Sequence, residues 1–220
     1  MSKTKRATAM SVGELAVTTS DLVGRVRARD GLLVEACRRG DPEAFAQLVA
    51  LHEGLVFNLA GRLLGDVEEA RDVAQEVFLQ VYRSLDRFEG RSSLRTWIYR
   101  IVVNRCRNRQ RWWRRRSLGH SRPLETLSPA EEARLSLETS PWGGPHERLE
   151  RRELTRRLDR ALAALRFEQR VVLLLRELEG LSIDEIARTL ELPAGTVKSR
   201  LARGRDALRL ALERPAEAGA

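Results

Sequence analysis

The stretch from Leu181 to Arg209 constrains the fold most, because its pattern predicts two helices joined by a very short turn. Ser182 is followed three residues later by Glu185, which is the spacing of a capping box at a helix start. Pro193 is suited to the first turn of the next helix, where its missing N–H is not needed. The stretch is therefore typical of a helix-turn-helix.

The second helix of this stretch has an apolar side and a polar side. At 100° per residue, Val197, Leu201, Gly204 and Leu208 share the apolar side. The opposite side combines hydroxyl, small apolar and cationic groups, which can read base edges in a major groove and bind phosphates. These candidate DNA contacts are Thr196, Lys198, Ser199, Arg200, Ala202 and Arg203. The alternative is an ordinary helical hairpin with solvated charges, but the agreement of cap, turn and basic face favours DNA binding.

The charge balance of the chain also favours a polyanionic partner. Its 220 residues carry a formal net charge of +9 at neutral pH, which suits nucleic acid or an acidic membrane surface. No apolar run approaches the roughly 20 residues of a membrane-spanning helix, and no signal-peptide core is present, so a cytoplasmic protein is expected. Cys37 and Cys106 lie far apart without CxxC companions, so we expect no disulfide, metal or other cofactor, and no catalytic constellation stands out.

Helical periodicity divides the chain into two modules, so the predicted fold class is all-α. Residues 1–30 lack sustained periodicity and are predicted to form a mobile extension. Residues 31–116 predict a module of four helices, separated by glycine ends and by aspartate or serine caps. Residues 117–145, rich in proline and glycine, predict a flexible linker. Residues 146–214 predict a second helical module that includes the helix-turn-helix, and residues 215–220 are a short tail.

Two helices of the first module carry faces of opposite charge. The third predicted helix begins at Asp66, and its acidic and amide face is either simply solvated or able to dock a basic protein surface. The fourth has no acidic residue from Arg100 to Arg116, and its arginine face suits a phosphate backbone. Trp112 and Trp113 either stack on bases or pack between helices. The acidic and amide face comprises Glu69, Asp72, Gln75 and Glu76.

Three blocks of sequence run from Asp72 to Phe78, from Phe88 to Asn104 and from Gly180 to Arg200. In this order and spacing they resemble the bacterial sigma factors of the extracytoplasmic-function (ECF) group, over about Leu32 to Arg209. The resemblance implies a region 2-like four-helix domain and a region 4-like helix-turn-helix domain. It further implies a non-enzymatic transcription initiation subunit that binds core RNA polymerase and promoter DNA, is associated with the nucleoid when active, and is commonly controlled by an anti-sigma factor.

The resemblance also implies roles for individual residues. Binding to core polymerase falls to Glu69, Asp72, Gln75, Glu76 and Phe78. Reading and melting of the −10 element, in which a base is flipped out of the stack, falls to Phe88, Arg91, Ser92, Ser93, Trp97, Arg100, Asn104, Arg107, Asn108 and Arg111. Reading of the −35 element falls to Thr196, Lys198, Ser199, Arg200, Ala202 and Arg203, on the polar side that helical geometry selects independently.

Two other functions compete with this interpretation. A helix-turn-helix regulator that binds duplex DNA without polymerase would leave the Asp72–Phe78 face and the Trp97–Arg116 helix without a role. A nucleic-acid-modifying enzyme would need a metal-ligand cluster, a phosphate-binding glycine loop or a nucleophile, and the sequence shows none of these patterns. The sequence therefore favours a sigma factor.

Overall fold

The computed structural model describes residues 19–116 and 145–213. Over these two ranges the chain forms eight α-helices, one short 3₁₀ helix and no strand, which confirms the all-α prediction. The first four α-helices are α1 (Thr19–Arg38), α2 (Pro42–Leu64), α3 (Val67–Ser84) and α4 (Leu94–Arg116), with the 3₁₀ helix (Leu85–Arg87) between α3 and α4. The other four are α5 (Pro145–Ala163), α6 (Phe167–Glu177), α7 (Ile183–Leu190) and α8 (Ala194–Glu213).

Helix α1 begins at Thr19, so the predicted mobile extension is wrong for residues 19–30. The end of this segment takes part in packing, because Asp30 is 6% exposed and Val34 is 3% exposed. Arginines and Gly31 interrupt the apolar pattern of α1, so periodicity does not show where this helix begins. The remaining predictions for the extension (1–18), the linker (117–144) and the tail (215–220) lie outside the described residues.

Helix α2 is the centre of the first module. Asp41 caps it by accepting hydrogen bonds from the backbone N–H groups of Glu43 and Ala44, and Pro42 occupies its first position. Gly65 ends it at a φ of 72°, a left-handed conformation that glycine adopts without strain. By length and composition alone α2 could cross a membrane. Its apolar side instead packs on α1, α3 and α4, which makes it the core helix of this module.

Helices α3 and α4 complete the first module with fully buried apolar faces. Val77 on α3 and Ile98 and Val102 on α4 are all 0% exposed. The predicted serine cap of α4 is confirmed, since the Ser93 hydroxyl accepts a hydrogen bond from the Thr96 N–H at 3.1 Å. Because these apolar faces are buried, the polar sides of α3 and α4 face outward.

The second module is built around α6, where the segment Val171–Leu175 is buried throughout. Helix α7 starts with the predicted capping box. The Ser182 Oγ accepts from the Glu185 N–H at 3.2 Å, and the Ser182 N–H donates to the Glu185 carboxylate at 2.8 Å. Both bonds satisfy N–H groups that a helix start leaves without partners.

The turn between α7 and α8 confirms the predicted helix-turn-helix. Glu191 adopts a left-handed conformation with a φ of 54°, which reverses the chain direction. Pro193 lies one position before the first helical residue, Ala194, rather than inside the first turn as predicted. Its carbonyl accepts from the Thr196 N–H at 2.9 Å and so still starts the helix.

Buried polar contacts join the two modules. Arg62 of α2 lies 2.6 Å from Asp159 of α5, and Arg170 of α6 donates to the Leu63 carbonyl of α2 at 3.0 Å. Arg170 also donates to the Leu165 carbonyl of its own module at 3.0 Å. Burial lowers the pKa of Arg170 to about 10. These contacts bring the N-terminus of α6 and the helix-turn-helix beside α4.

Candidate polymerase and nucleic-acid interfaces

The loop that precedes α4 rests on two aromatic rings. The centroids of Phe88 and Trp97 are 5.3 Å apart, and both half-buried side chains pack against the core. Ser93 uses its hydroxyl to cap α4, and Ser92 donates to the Ser93 carbonyl at 3.3 Å. Arg91 is exposed at the tip of the loop. Of the loop residues predicted to read the −10 element, Arg91 is the one that projects fully into solvent, while the aromatic and serine side chains support the loop.

The outer face of α4 brings together the other five residues predicted to contact the −10 element. Their spacing places them along one side of the helix, with all but the half-buried Arg107 exposed. Arg107 donates to the Asn104 amide oxygen at 3.2 Å, so these two side chains form one polar unit. This row consists of Arg100, Asn104, Arg107, Asn108 and Arg111.

The two tryptophans of α4 have different surroundings. Trp113 packs on the core, so internal packing is the arrangement of this ring. Trp112 is half-buried, and the Arg116 guanidinium lies over its face, 4.3 Å from the ring centroid. The sequence leaves both arrangements open, and the structure selects internal packing for Trp113.

The acidic and amide face of α3 separates into two parts. Arg109 of α4 pairs with Glu69 at 2.6 Å and with Glu76 at 2.8 Å, so these two glutamates neutralise this arginine. Burial raises the pKa of Glu69, and the charge of Arg109 opposes that rise. Asp72 and Gln75 are exposed, whereas the half-buried Phe78 packs on the core. The first two of these three residues therefore form the accessible part of the predicted polymerase surface.

Two apolar residues that sequence analysis missed extend this accessible part. Leu79 is 55% exposed and Tyr82 is 61% exposed. They follow Asp72 and Gln75 by seven residues each, which is two helical turns, so all four lie on one side of α3. A large apolar residue seven positions after an exposed polar one is the signal that could have revealed them. We call this group, Asp72, Gln75, Leu79 and Tyr82, the α3 outer face.

The polar side of α8 faces outward as predicted. Lys198, Ser199, Ala202 and Arg203 are exposed, and Thr196 and Arg200 are half-buried. The Arg203 guanidinium bonds the Ser199 carbonyl at 3.1 Å and the Ser199 hydroxyl at 3.2 Å, so it lies along its own helix. The predicted apolar side is confirmed, because Val197, Leu201 and Gly204 are buried and Leu208 is half-buried.

The DNA-contact candidates of the two modules meet at one carboxylate. Glu168, at the start of α6, lies 3.2 Å from the Arg107 Nε of α4 and 2.9 Å from the Arg200 Nη1 of α8. Arg100 of α4 likewise contacts Glu191, in the turn of the helix-turn-helix. The arginine face of α4 has no acidic residue on its own helix, so it obtains counter-charges from the second module.

Comparison with known proteins places both modules in one family. Sigma-70 region 2 matches residues 48–117 and Sigma-70 region 4 matches residues 155–208. The RNA polymerase sigma-H factor of Pseudomonas aeruginosa is 36% identical over 188 residues, which cover 84% of this chain and 94% of that relative. The ECF RNA polymerase sigma-E factor of Escherichia coli K12 is 36% identical over 181 residues, covering 81% and 92% of the two chains. The chain belongs to the ECF sigma factors.

A solved structure has the same fold as this ECF sigma factor. The sigma factor RpoE in complex with the anti-sigma factor NepR, from Bartonella quintana, superposes with a TM-score of 0.58. The match covers 77% of this chain and 98% of that one at 22% identity. Together with the family match, the fold confirms the predicted pairing of a region 2 domain with a region 4 domain.

Membership in the ECF group decides between the functions that the sequence left open. A sigma factor acts in promoter-directed transcription initiation, and the curated relatives are transcription factors rather than catalysts. The matched region 2 includes α3 and α4, and the matched region 4 includes α6, α7 and α8. A regulator that works without polymerase would not account for the first match.

Proposed function

We propose that this ECF sigma factor uses three separate helix faces in initiation. The α3 outer face binds core RNA polymerase, α4 with its preceding loop reads and melts the −10 element, and α8 reads the −35 element. The observation that supports this division most is that most residues of each face are exposed, while the opposite side of its helix is buried in a core. Rigid helices position recognition groups accurately.

The face on α8 has the chemistry of a major-groove reader. Arg203 is exposed and long enough to leave Ser199 and bind the O6 and N7 atoms of a guanine. Ala202 offers a methyl group that suits the methyl of thymine. Lys198 and Arg200 flank them and suit phosphates, and Thr196 supplies a hydroxyl near the start of the helix. We infer that these groups set the register on the −35 element and read it.

The face on α4 suits a single strand held open. Asn104 presents both a donor and an acceptor, which can bond the Watson–Crick edge of a base taken out of the stack. Arg100 precedes it by one helical turn, Arg107 and Arg111 follow it, and all three suit the phosphates of that strand. Asn108 extends the same row, and the loop residue Arg91 projects beside the strand path. We infer that a base flipped at the −10 element enters near Asn104.

The α3 outer face combines polar and apolar groups, as central parts of protein interfaces do. We propose that Asp72 and Gln75 meet cationic or polar groups of the polymerase, and that Leu79 and Tyr82 contribute apolar contact area. Glu69, Glu76 and Phe78 belong to the same interface in a supporting role. The two glutamates hold Arg109 behind the face, and Phe78 anchors α3 in the core.

The proposal also includes the cellular setting. We propose a cytoplasmic protein that works without enzymatic activity or cofactor, lies on the nucleoid when active, and is held inactive by an anti-sigma factor. The complex of RpoE with NepR supports the last point, because a protein of the same fold binds such a partner. The net charge of +9 suits association with nucleic acid.

Substitution of Asn104 tests the division of roles. The variant Asn104→Ala is expected to lower transcription from a duplex promoter while it still binds core polymerase, because Asn104 lies away from the α3 outer face. Run-off transcription and a polymerase pull-down measure the two effects, and Arg115→Ala, an exposed residue of α4 outside the row, is the matched control. Loss of polymerase binding by Asn104→Ala would contradict the proposal.

A further inference from the structure

A cavity of about 600 Å³ lies where the two modules meet. Its walls come from α4, from the start of α6 and from the polar side of α8. It therefore exists only when the modules are docked as they are here. The residues that line it are Arg107, Gln110, Arg111, Arg114, Arg166, Phe167, Glu168, Gln169, Thr196, Arg200 and Arg203.

The lining of this cavity has a strong excess of positive charge. Six arginines face a single carboxylate, that of Glu168, which gives a net formal charge of +5. Glu168 is already shared between Arg107 and Arg200. Within the part of the chain that the structure describes, Arg111, Arg114 and Arg166 have no carboxylate partner. Arginines held together in this way repel one another, and a bound anion relieves that repulsion.

The start of α6 adds a further attraction for anions. Arg166 is the cap residue of this helix, and its side chain makes no cap hydrogen bond. The first N–H groups of a helix and the positive end of its dipole both favour a negative group at this position. Residues 166–169, which form this start, belong to the cavity wall. Helix and guanidinium groups therefore converge on the same space.

We propose that this cavity binds a small ligand that carries a chain of at least three phosphoryl groups. Guanidinium groups bind phosphate oxygens in bidentate fashion, so several arginines around one space match several phosphates in a row. The volume lies within the roughly 300–1,000 Å³ of small-molecule sites. Duplex DNA does not fit inside it. An isolated carboxylate, such as a glutamate of a protein partner, would use only part of the available guanidinium groups.

The ligand would compete with promoter DNA. Arg107, Arg111, Thr196, Arg200 and Arg203 line the cavity and are also residues to which the proposed function gives DNA contacts. A ligand that bridges α4 and α8 holds the modules together and covers both sets at once. This consequence rests on the proposed function, whereas binding of the ligand itself does not.

Calorimetric titration of the full chain with sodium tripolyphosphate, at constant ionic strength, tests the binding. The variants Arg114→Ala and Arg166→Ala change cavity residues that have no proposed DNA role. Each is expected to lower the affinity about 10-fold or more, since each removes a charge-assisted contact. Arg115→Ala is the matched control, because this exposed arginine follows Arg114 on α4 but does not line the cavity. It is expected to bind tripolyphosphate as the wild type does.

Parallel titrations separate the sources of the phosphates and the rival ligands. If the chain binds ATP more tightly than tripolyphosphate, the ligand of the cavity is a nucleoside polyphosphate. If it binds ATP equally or more weakly, the ligand is a free phosphate chain. Both results support the site. Equal loss in Arg115→Ala, equal affinity for citrate, or tighter binding of a hexaglutamate peptide would each overturn it.

A promoter-displacement assay keeps the two proposals distinguishable. Tripolyphosphate is expected to release a labelled −35 duplex from the wild-type chain more effectively than from Arg166→Ala. If tripolyphosphate binds but does not release the duplex, the ligand site stands and the DNA contacts that the proposed function assigns are contradicted.

Discussion

Arg62 Nη1 and Asp159 Oδ1 lie 2.6 Å apart, and their side chains are only 3% and 8% exposed. One residue belongs to region 2 and the other to the second module, so this buried ion pair couples the two domains. Burial raises the pKa of Asp159, while the neighbouring charge of Arg62 favours the ionised carboxylate. The pair is buried, and removal of one charge would leave the other buried without its partner.

Substitution of Asp159 is expected to loosen the domains. Removing one partner of a buried ion pair costs about 3–5 kcal/mol, so Asp159→Ala should lower the free energy of unfolding and enlarge the radius of gyration. Urea denaturation and small-angle scattering measure the two effects. Asp206→Ala, at an exposed position on α8, is the control. Unchanged stability and dimensions in Asp159→Ala would show that the pair does not couple the domains.

His52 predicts a loss of stability in mild acid. Burial, followed by the charges of Arg95 and Arg29, lowers the pKa of this imidazole below 6.5. Below pH 6.5 His52 binds a proton more readily in the unfolded chain than in the folded chain. Its contribution to stability is therefore fully present above pH 6.5 and is lost as the pH falls below that value.

Urea titrations at about pH 7.5 and about pH 5.5 measure this loss, to which one group contributes at most about 1.4 kcal/mol per pH unit. His52→Gln is expected to reduce the change in unfolding free energy between these two pH values. If the variant loses as much stability in acid as the wild type does, other groups cause the acid sensitivity.

Arg203 is expected to specify one base pair of the −35 element. Arg203→Ala should weaken binding by about 1–3 kcal/mol on the cognate duplex and relax the preference at one position. Fluorescence anisotropy with a set of single-position promoter variants measures this. Arg209→Ala, exposed near the end of α8, is the control. Equal weakening on every sequence would assign Arg203 to a phosphate instead.

The α3 outer face is expected to carry affinity for core polymerase. Asp72→Arg reverses an exposed charge and should lower that affinity about 10-fold or more if a cationic surface faces it. Glu53→Arg, which reverses an exposed charge on α2 instead of α3, is the control. A competition assay for core polymerase compares the variants, and equal affinities would move the interface away from this face.

Local signals in the sequence predicted much of the fold. The caps at Asp41 and Ser93 and the capping box of Ser182 with Glu185 are decided by residues at most three positions apart. The exposed polar side of α8 follows from helical periodicity alone. These features could be predicted because no distant residue takes part in them.

Contacts between distant residues could not be predicted in this way. Glu168 joins Arg107 and Arg200 across 61 and 32 residues of sequence, and no pattern in a single sequence encodes that meeting. The same holds for the pairing of Glu69 and Glu76 with Arg109, which engages two residues predicted to contact polymerase in ion pairs within the protein. The start of α1 at Thr19 is likewise not marked by apolar periodicity, because arginines and Gly31 interrupt the pattern of this helix.

Run-off transcription from a genomic promoter pool, with core RNA polymerase alone and with the added chain, shows whether the chain directs initiation. Defined start sites are expected only when the chain is present, and alignment of those sites should yield one −35 motif and one −10 motif. A chain that binds duplex DNA but neither associates with core polymerase nor starts transcripts would contradict this expectation.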